Sequence, residues 1–218
     1  MSMLVYKYLL FKGALVTVAS WFCAGILSLF FGTLVGILSC RRLVSRRWQA
    51  VLKLYVFIAK GIPAYVQILI AYFVIPAFLG IQIPGIYAAV GALVFCSTGY
   101  MAEIVRGGLN SINIGQWEAC LVLGYSIKAT LKRVILPQVF KNILPSLFGE
   151  LEQLLKSTAL LATIGITELT RTGMNIISRE LNPVCVYLLV ALIYLFFAAA
   201  LQAVNWYLDQ KLQRQEQD

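Results

Sequence analysis

Histidine is absent from this 218-residue chain, and only nine residues are acidic. A histidine-based acid–base site is therefore excluded, and a zinc site is not expected. No nucleophile–base pair or metal-ligating set is evident, so we predict neither a catalytic site nor a metal site. The cysteines form no C-x-x-C pair and are predicted to be free, buried thiols. They are Cys23, Cys40, Cys96, Cys120 and Cys185.

Charge is also scarce: charged residues make up 12% of the chain, about half the share in a soluble domain, and 61% of the residues are hydrophobic. With a mean hydropathy of +0.84, most of the chain must lie in lipid. The length suits one transmembrane domain over residues 1–218, all-α with about five spans. The net charge of +9 is typical of the cytoplasmic flanks of membrane helices, so no nucleic-acid partner is predicted.

Five apolar runs are candidates for membrane spans, and the first is too long for a signal peptide, so it is expected to be retained. Within it, Gly32 and Gly36 form a small-xxx-small pair that would let a neighbouring helix approach closely. The segment Trp48–Ala59 is typical of an amphipathic or interfacial helix, and Lys60-Gly61-Ile62-Pro63 interrupts it. The predicted spans are Gly13–Ser39, Pro63–Gly80, Gly85–Ile104, Ile143–Thr163 and Pro183–Tyr207.

Two cationic clusters predict which loops face the cytoplasm. With five spans, they place the N-terminus outside and the C-terminus inside, against the weaker opposing effect of Lys7 and Lys12. Anionic-lipid binding by the first cluster is the alternative to simple topology marking. The mixed-charge segment Glu168–Asn182 is then expected outside. The clusters are Arg41, Arg42, Arg46, Arg47 and Lys53, and Lys128, Lys132, Arg133 and Lys141.

The predicted inner loop, about residues 107–142, is longer than a connection requires. Its stretch GQWEACLVLGYS, residues 115–126, predicts a short amphipathic helix that begins near Gly115 and ends near Gly124. Glu118 would lie near the helix N-terminus, where a carboxylate suits the helix dipole. An apolar surface on this helix would dock on lipid or on a protein, with protein slightly favoured. That surface would comprise Trp117, Cys120, Leu121 and Val122.

The same stretch carries a family signature: E-A-A, three residues, G, nine residues and I-x-L-P. This chain has Glu118-Ala119-Cys120, then Gly124 and Val134-x-Leu136-Pro137 at the same spacings. From about Gly13 to Leu208, the chain resembles the inner-membrane permease subunits of ATP-binding-cassette importers. The resemblance is to the polar amino-acid branch, which takes histidine, glutamate, glutamine, arginine and opines.

Five further stretches resemble motifs of that branch. The departures that matter most are Ser157 and Ala159, where polar Asp and Ser are usual near the translocation path. The stretches are Lys60–Pro63 for R-G-T-P, Gly99–Gly108 for G-A-Y-x-A-E-I-x-R-G-G, Gly115–Ala119 for G-Q-x-E-A, Leu136–Gln138 for L-P-Q, and Leu155–Leu160 for L-K-D-T-S-L.

This resemblance implies the type I importer permease fold and a multi-pass location in the bacterial cytoplasmic (inner) membrane. The loop helix would be the coupling helix, docked on a cytoplasmic ATPase dimer that holds ATP and magnesium, since this chain has no phosphate-binding loop. A second permease chain, identical or paralogous, an external amino-acid-binding protein and membrane lipid are the other implied partners. The implied coupling residues are Gly115, Gln116, Glu118, Ala119, Gly124, Leu136 and Pro137.

Charged residues within the fourth span are candidates for a substrate path, because ionisable groups are costly in a membrane. Glu152 and Lys156, four residues apart, would either neutralise each other or contact a zwitterionic amino acid. Glu150 has no obvious cationic partner within its own helix, since Lys156 would pair with Glu152, and it would favour a cationic amino acid such as arginine or lysine. The full candidate set is Tyr100, Glu150, Glu152, Gln153, Lys156, Ser157 and Thr158.

Glu103 and Arg106, three residues apart at the end of the third span, are predicted to form a structural ion pair. The predicted function is ATP-driven import of a polar L-amino acid by alternating access. The alternatives are import of an opine or compatible solute, and a membrane scaffold that binds another cytoplasmic protein.

Overall fold

The computed structural model describes residues 3–40 and 45–214, and the described residues form helices joined by short turns, with no strand among them. Arg41 and Arg42 of the first cationic cluster lie outside this part of the chain. The helices are α1 (Met3–Leu38), α2 (Arg46–Gly61), α3 (Ala64–Leu69), α4 (Ile75–Leu79), α5 (Gly85–Ser111), α6 (Ile114–Val122), α7 (Ile127–Thr130), α8 (Leu136–Ser157), α9 (Leu169–Glu180) and α10 (Pro183–Arg214).

Three of these helices are long and apolar enough to cross a membrane, namely α1, α5 and α10. A fourth candidate among the described residues is a broken span, formed by residues 47–61 and 64–79, whose two parts are bent by 100°. The predicted fourth span, α8, packs against α1, α5 and α10, but it carries too many charges to qualify by composition. The all-α membrane fold is thus confirmed, whereas the orientation of the termini stays a prediction.

The 100° bend separates the amphipathic helix α2 from the second predicted span, α3–α4. Pro63 is the N-cap of α3, and proline lacks the N–H that would continue α2. The buried side chain of Gln67 fills the gap, because its Nε2 donates to the carbonyls of Ala59 and Ile62 at 2.8 and 2.7 Å. A π-helical turn, Ile70–Val74, then joins α3 to α4, which ends at the left-handed Gly80.

Helices α1 and α5 cross at the glycine pair that the sequence singled out. A Cβ atom on Gly32 would lie 2.5 Å from the Cβ of Met101, and one on Gly36 would lie 2.6 Å from the Cβ of Val105. Only glycine permits so close an approach. The partner of this small-xxx-small pair is therefore α5.

Between α5 and α8 the structure has more helix than the predicted loop of residues 107–142. Helix α5 runs past the predicted end at Ile104 to Ser111, because Val105 and Leu109 continue its buried face. On the other side, α7 and a π-helical turn, Leu131–Ile135, lead directly into α8. Ile135, Val139 and Ile143 recur every four residues and are buried, so this segment packs along α5 instead of forming a loop.

The mixed-charge segment Glu168–Asn182 is also largely helical, as α9, and Glu168 is fully buried at its start. The Glu168 carboxylate accepts hydrogen bonds from the backbone N–H groups of Thr170 and Arg171 at 2.8 and 2.6 Å. It also accepts one from the Tyr194 hydroxyl at 3.0 Å, and the Thr17 hydroxyl lies 3.5 Å away. This one side chain therefore joins α9 to α1 and α10, a role that the sequence did not reveal.

Replacing Glu168 with alanine is expected to lower Tm by about 2–8 °C, since loss of a helix cap costs about 1–2 kcal/mol. The measurement is thermal denaturation of the detergent-purified chain. Glu180→Ala is the matched control, because Glu180 ends the same helix and accepts a solvent-exposed hydrogen bond from the Tyr6 hydroxyl. An equal loss of Tm in both variants would contradict the assigned role of Glu168.

The cysteines follow the prediction only in part. None of the five is in a disulfide, and Cys40 and Cys120 are buried. Cys23 and Cys185 are exposed, because they lie on outward faces of the long helices α1 and α10. An apolar run thus predicted a buried position correctly only where another helix covers it.

Candidate coupling helix and polar cavity

Helix α6 lies close to the predicted position but begins one residue earlier, at Ile114. Asn113, and not Gly115, is its N-cap: the Asn113 side chain accepts a hydrogen bond from the Gly115 N–H at 2.8 Å. The other end matches the prediction, because Gly124 is left-handed with φ of 77°. The N–H groups of Gly124 and Tyr125 donate to the carbonyls of Leu121 and Cys120, which is the Schellman arrangement that terminates a helix.

The apolar residues of α6 lie on two different faces, contrary to the single surface predicted. Trp117 and Cys120 point inward and are only 7% and 5% exposed. Trp117 packs into a core that includes Met101 and Val139. Leu121 and Val122 remain outside, 60% and 87% exposed. Helical spacing places residues 117 and 120 on one face, so the inward pair holds α6 to the bundle while the outer pair stays exposed.

Glu118 is exposed beside this outer face. It lines a groove of about 370 Å³ together with Trp117, Leu121 and Ile127. Gly115, Gln116 and Ala119 are also exposed on α6. A carboxylate beside an open apolar groove can receive both a cation and an apolar side chain from a docked protein.

The second half of the signature meets the first in space. The Gln138 side chain donates to the Gln116 side-chain oxygen at 2.7 Å and to the Val134 carbonyl at 2.9 Å. Leu136 packs against the same core as Trp117, and the neighbouring Pro137 is exposed in the first turn of α8. A hydrogen bond and a shared apolar core therefore connect α6 to the start of α8.

A polar cavity of about 430 Å³ lies between α2, α3, α5 and α8. Four of the predicted path residues line it: Tyr100, Glu150, Gln153 and Ser157. The hydroxyl of Ser97, which is buried, donates to Glu150 Oε1 at 2.7 Å. The remaining lining residues are Lys60, Ile62, Pro63, Ala64, Leu93, Cys96 and Leu154.

Three predicted path residues do not line this cavity. Lys156 Nζ lies 2.7 Å from Glu152 Oε1, so these two residues pair with each other on another face of α8. Thr158 is buried, and its hydroxyl donates to the Leu155 carbonyl at 2.7 Å. Of the two alternatives for the Glu152–Lys156 pair, the geometry favours mutual neutralisation.

At the edge of the cavity, one carboxylate faces two cations. Arg106 Nη2 and Nε lie 2.8 and 2.9 Å from Glu103 Oε1, which is the predicted intrahelical pair. Lys60 Nζ lies 3.4 Å from Glu103 Oε2.

Sequence reasoning missed Lys60 and Ser97 because neither shares a helix with Glu150. The sequence signals for Lys60 were its place in the interruption Lys60-Gly61-Ile62-Pro63 and the resemblance of that stretch to R-G-T-P.

Comparison with known proteins supports one family throughout. A family described as binding-protein-dependent transport system inner membrane component matches residues 8–214. The arginine transport system permease protein ArtQ of Bacillus subtilis (strain 168) is 31% identical over 201 residues, 92% of this chain and 91% of the relative. The glutamine transport system permease protein GlnP of Escherichia coli (strain K12) is 33% identical over 207 residues, 94% of this chain and 93% of the relative.

A third relative is the octopine transport system permease protein OccM of Rhizobium meliloti, 34% identical over 195 residues, 83% of this chain and 80% of the relative. Among solved structures, an amino acid ABC transporter crystallised with histidines shares 30% identity and a TM-score of 0.87, covering 96% of this chain and 97% of that one. The inward-facing MetNI methionine transporter shares the fold at 20% identity and a TM-score of 0.84, covering 97% and 99%.

Proposed function

Because this chain belongs to the family of binding-protein-dependent transport system inner membrane components, we propose that it moves a polar L-amino acid through the polar cavity by alternating access. It is a multi-pass permease subunit of the inner membrane. The energy would come from ATP hydrolysis by a partner, and an external binding protein would deliver the substrate. A second permease chain would complete the membrane part of the complex.

The coupling would pass through α6. Its outer face presents Glu118, Leu121 and Val122 to the cytoplasmic ATPase dimer, which would hold ATP and magnesium. The hydrogen bond between Gln116 and Gln138 would transmit a displacement of α6 to α8. Helix α8 includes Glu150, which lines the cavity. Closure of the ATPase pair on binding ATP would in this way shift the equilibrium between the outward-open and inward-open states of the cavity.

The observation that carries the choice of substrate is the charge of the cavity walls. Glu150 lies on one wall, and Lys60 lies on another. The volume of about 430 Å³ falls in the ordinary range for small-molecule sites. A free amino acid carries both an ammonium and a carboxylate, so opposite charges on two walls match it. An opine is the alternative, supported by the relative named for octopine.

The test is uptake by the complete importer, reconstituted in liposomes from this chain, its ATPase and its binding protein. The substrates offered are the twenty radiolabelled L-amino acids and octopine. We expect ATP-dependent uptake of at least one polar L-amino acid. Uptake of octopine alone would favour the opine alternative, and no ATP-dependent uptake of either class would contradict the proposal.

Glu150→Gln is expected to reduce the preference for arginine and lysine over glutamine by about tenfold or more, since a hydrogen bond to a charged group contributes about 1.5–3 kcal/mol. The measurement is competitive uptake in the same liposomes. Glu152→Gln is the matched control, because Glu152 lies on the same helix but pairs with Lys156 away from the cavity. An unchanged preference in Glu150→Gln would remove Glu150 from substrate selection.

A further inference from the structure

A close helix contact and a pair of hydrogen bonds hold the backbone of Lys60 in place. Its neighbour Ala59 sits against α5 at Gly99, where a Cβ atom would come within 2.7 Å of the Ala59 Cβ. Gln67 donates to the carbonyls of Ala59 and Ile62, which lie on either side of Lys60 in the chain. The backbone of Lys60 is therefore fixed beside the cavity, while its four-carbon side chain keeps its own freedom to move.

The contact between Lys60 and Glu103 is the weaker of the two ion pairs at this carboxylate. Arg106 approaches within 2.8 Å, but Lys60 only within 3.4 Å, which is long for a charged hydrogen bond. One carboxylate facing two cations leaves an excess positive charge at this edge of the cavity. The Lys60 ammonium also lies 5.4 Å from the centre of the Tyr100 ring, which itself lines the cavity.

Across the cavity, Glu150 has a different environment. Its hydrogen-bond partner is the hydroxyl of Ser97, a neutral group that fixes the carboxylate without neutralising it. The cavity thus has, on α8, a carboxylate whose hydrogen-bond partner is neutral, and a loosely held cation at the end of α2. This pairing differs from the one expected from sequence, Glu152 with Lys156, which lies elsewhere.

We infer that Lys60 binds the carboxylate of the transported amino acid, and that Glu103 is the partner it leaves when substrate arrives. This inference rests on the proposed function and deepens it. An ammonium with three donors on a flexible stem can turn from Glu103 to a carboxylate in the cavity. Arg106 remains on Glu103 and keeps that carboxylate paired after Lys60 departs. Exchange between two carboxylates lets Lys60 bind substrate and later release it.

The test removes the carboxylate from the ligand and the ammonium from the protein, separately and together. Equilibrium binding is measured on the detergent-purified complex of this chain with its ATPase, without the binding protein. The probes are the amino acid that wild type imports fastest and the amine that lacks its α-carboxylate, for example L-arginine and agmatine. Wild type is expected to bind the amino acid about tenfold or more tightly than the amine.

Lys60→Gln is expected to lose that tenfold preference and to bind the amine as wild type does. Lys60→Arg, which keeps the charge, is expected to retain most of the preference. Glu103→Gln should bind the amino acid about threefold or more tightly, because Lys60 no longer has a competing carboxylate. Opposite effects at residues 60 and 103 would not occur if their contact were only structural.

Each contrary result has a distinct meaning. Equal binding of amino acid and amine by wild type overturns the inference without any variant. If Lys60→Gln keeps the preference for the amino acid over the amine, Lys60 belongs to a purely structural pair. The same conclusion follows if Lys60→Gln loses that preference but the double variant Lys60→Gln/Glu103→Gln regains it. Absence of ATP-dependent uptake by the wild-type importer instead contradicts the proposed function itself.

Discussion

Glu118→Lys is expected to reduce the amount of ATPase that co-purifies with this chain in mild detergent by about tenfold or more. Glu118 is exposed beside the apolar outer face of α6, so the reversed charge changes the docking surface and not the core. Loss of one partner from a hydrogen-bonded charge pair at an interface costs about 2–5 kcal/mol. The measurement is affinity purification from the native membrane followed by mass spectrometry.

Glu118→Gln, of the same size without the charge, is the matched control and is expected to have a smaller effect. Circular dichroism checks that α6 and the bundle remain folded in both variants. Retention of the ATPase by Glu118→Lys at the wild-type level would show that the ATPase docks on another surface of the chain. Any second permease or binding protein recovered with the wild-type chain would identify the remaining partners.

Gly36→Val is expected to separate α1 from α5 and to destabilise the chain by about 3 kcal/mol, or about 6–12 °C in Tm. A Cβ atom at residue 36 would lie 2.6 Å from the Val105 Cβ and 2.9 Å from the Ala102 carbonyl oxygen. The carbonyl belongs to the backbone of α5, so it cannot turn away as a long side chain could. The measurement is thermal denaturation of the detergent-purified chain, with size-exclusion chromatography to detect aggregation.

Gly149→Val is the matched control, since Gly149 also lies within a long helix, but among the described residues no atom of a neighbouring helix lies within 4 Å of its would-be Cβ. It is expected to change Tm by no more than about 2 °C. If both variants lose the same stability, the cause is the helix propensity of valine and not the contact between α1 and α5.

The sequence predicted only part of the coupling helix: one of its ends, but neither its N-cap nor the direction of its inward face. Gly124 was predictable because the left-handed helix end strongly favours glycine. Asn113 is an equally favoured N-cap residue, but the neighbouring Gly115 suggested a start that lies inside the helix. The inward direction of Trp117 was not predictable, because it depends on α5 and α8 lying beside α6.

The residues that line the cavity were likewise predictable only in part. Glu150, Gln153 and Ser157 follow helical spacing on α8, so their common face could be anticipated from the sequence. The cation opposite them could not, because the sequence offered Lys156 on the same helix, whereas the structure brings Lys60 from α2.

The sequence by itself predicted an all-α membrane domain, a short helix between the third and fourth spans and a glycine pair that allows close packing, and its motifs resembled those of importer permeases. Those features depend on hydropathy and on residues near one another in the chain. The tertiary structure alone decided which polar side chains meet: Lys60 with Glu103, Ser97 with Glu150, and Glu168 with Tyr194. Such pairs depend on the rotation and register of packed helices, which contacts such as Gly36 with Val105 and Gly99 with Ala59 set across large separations in sequence.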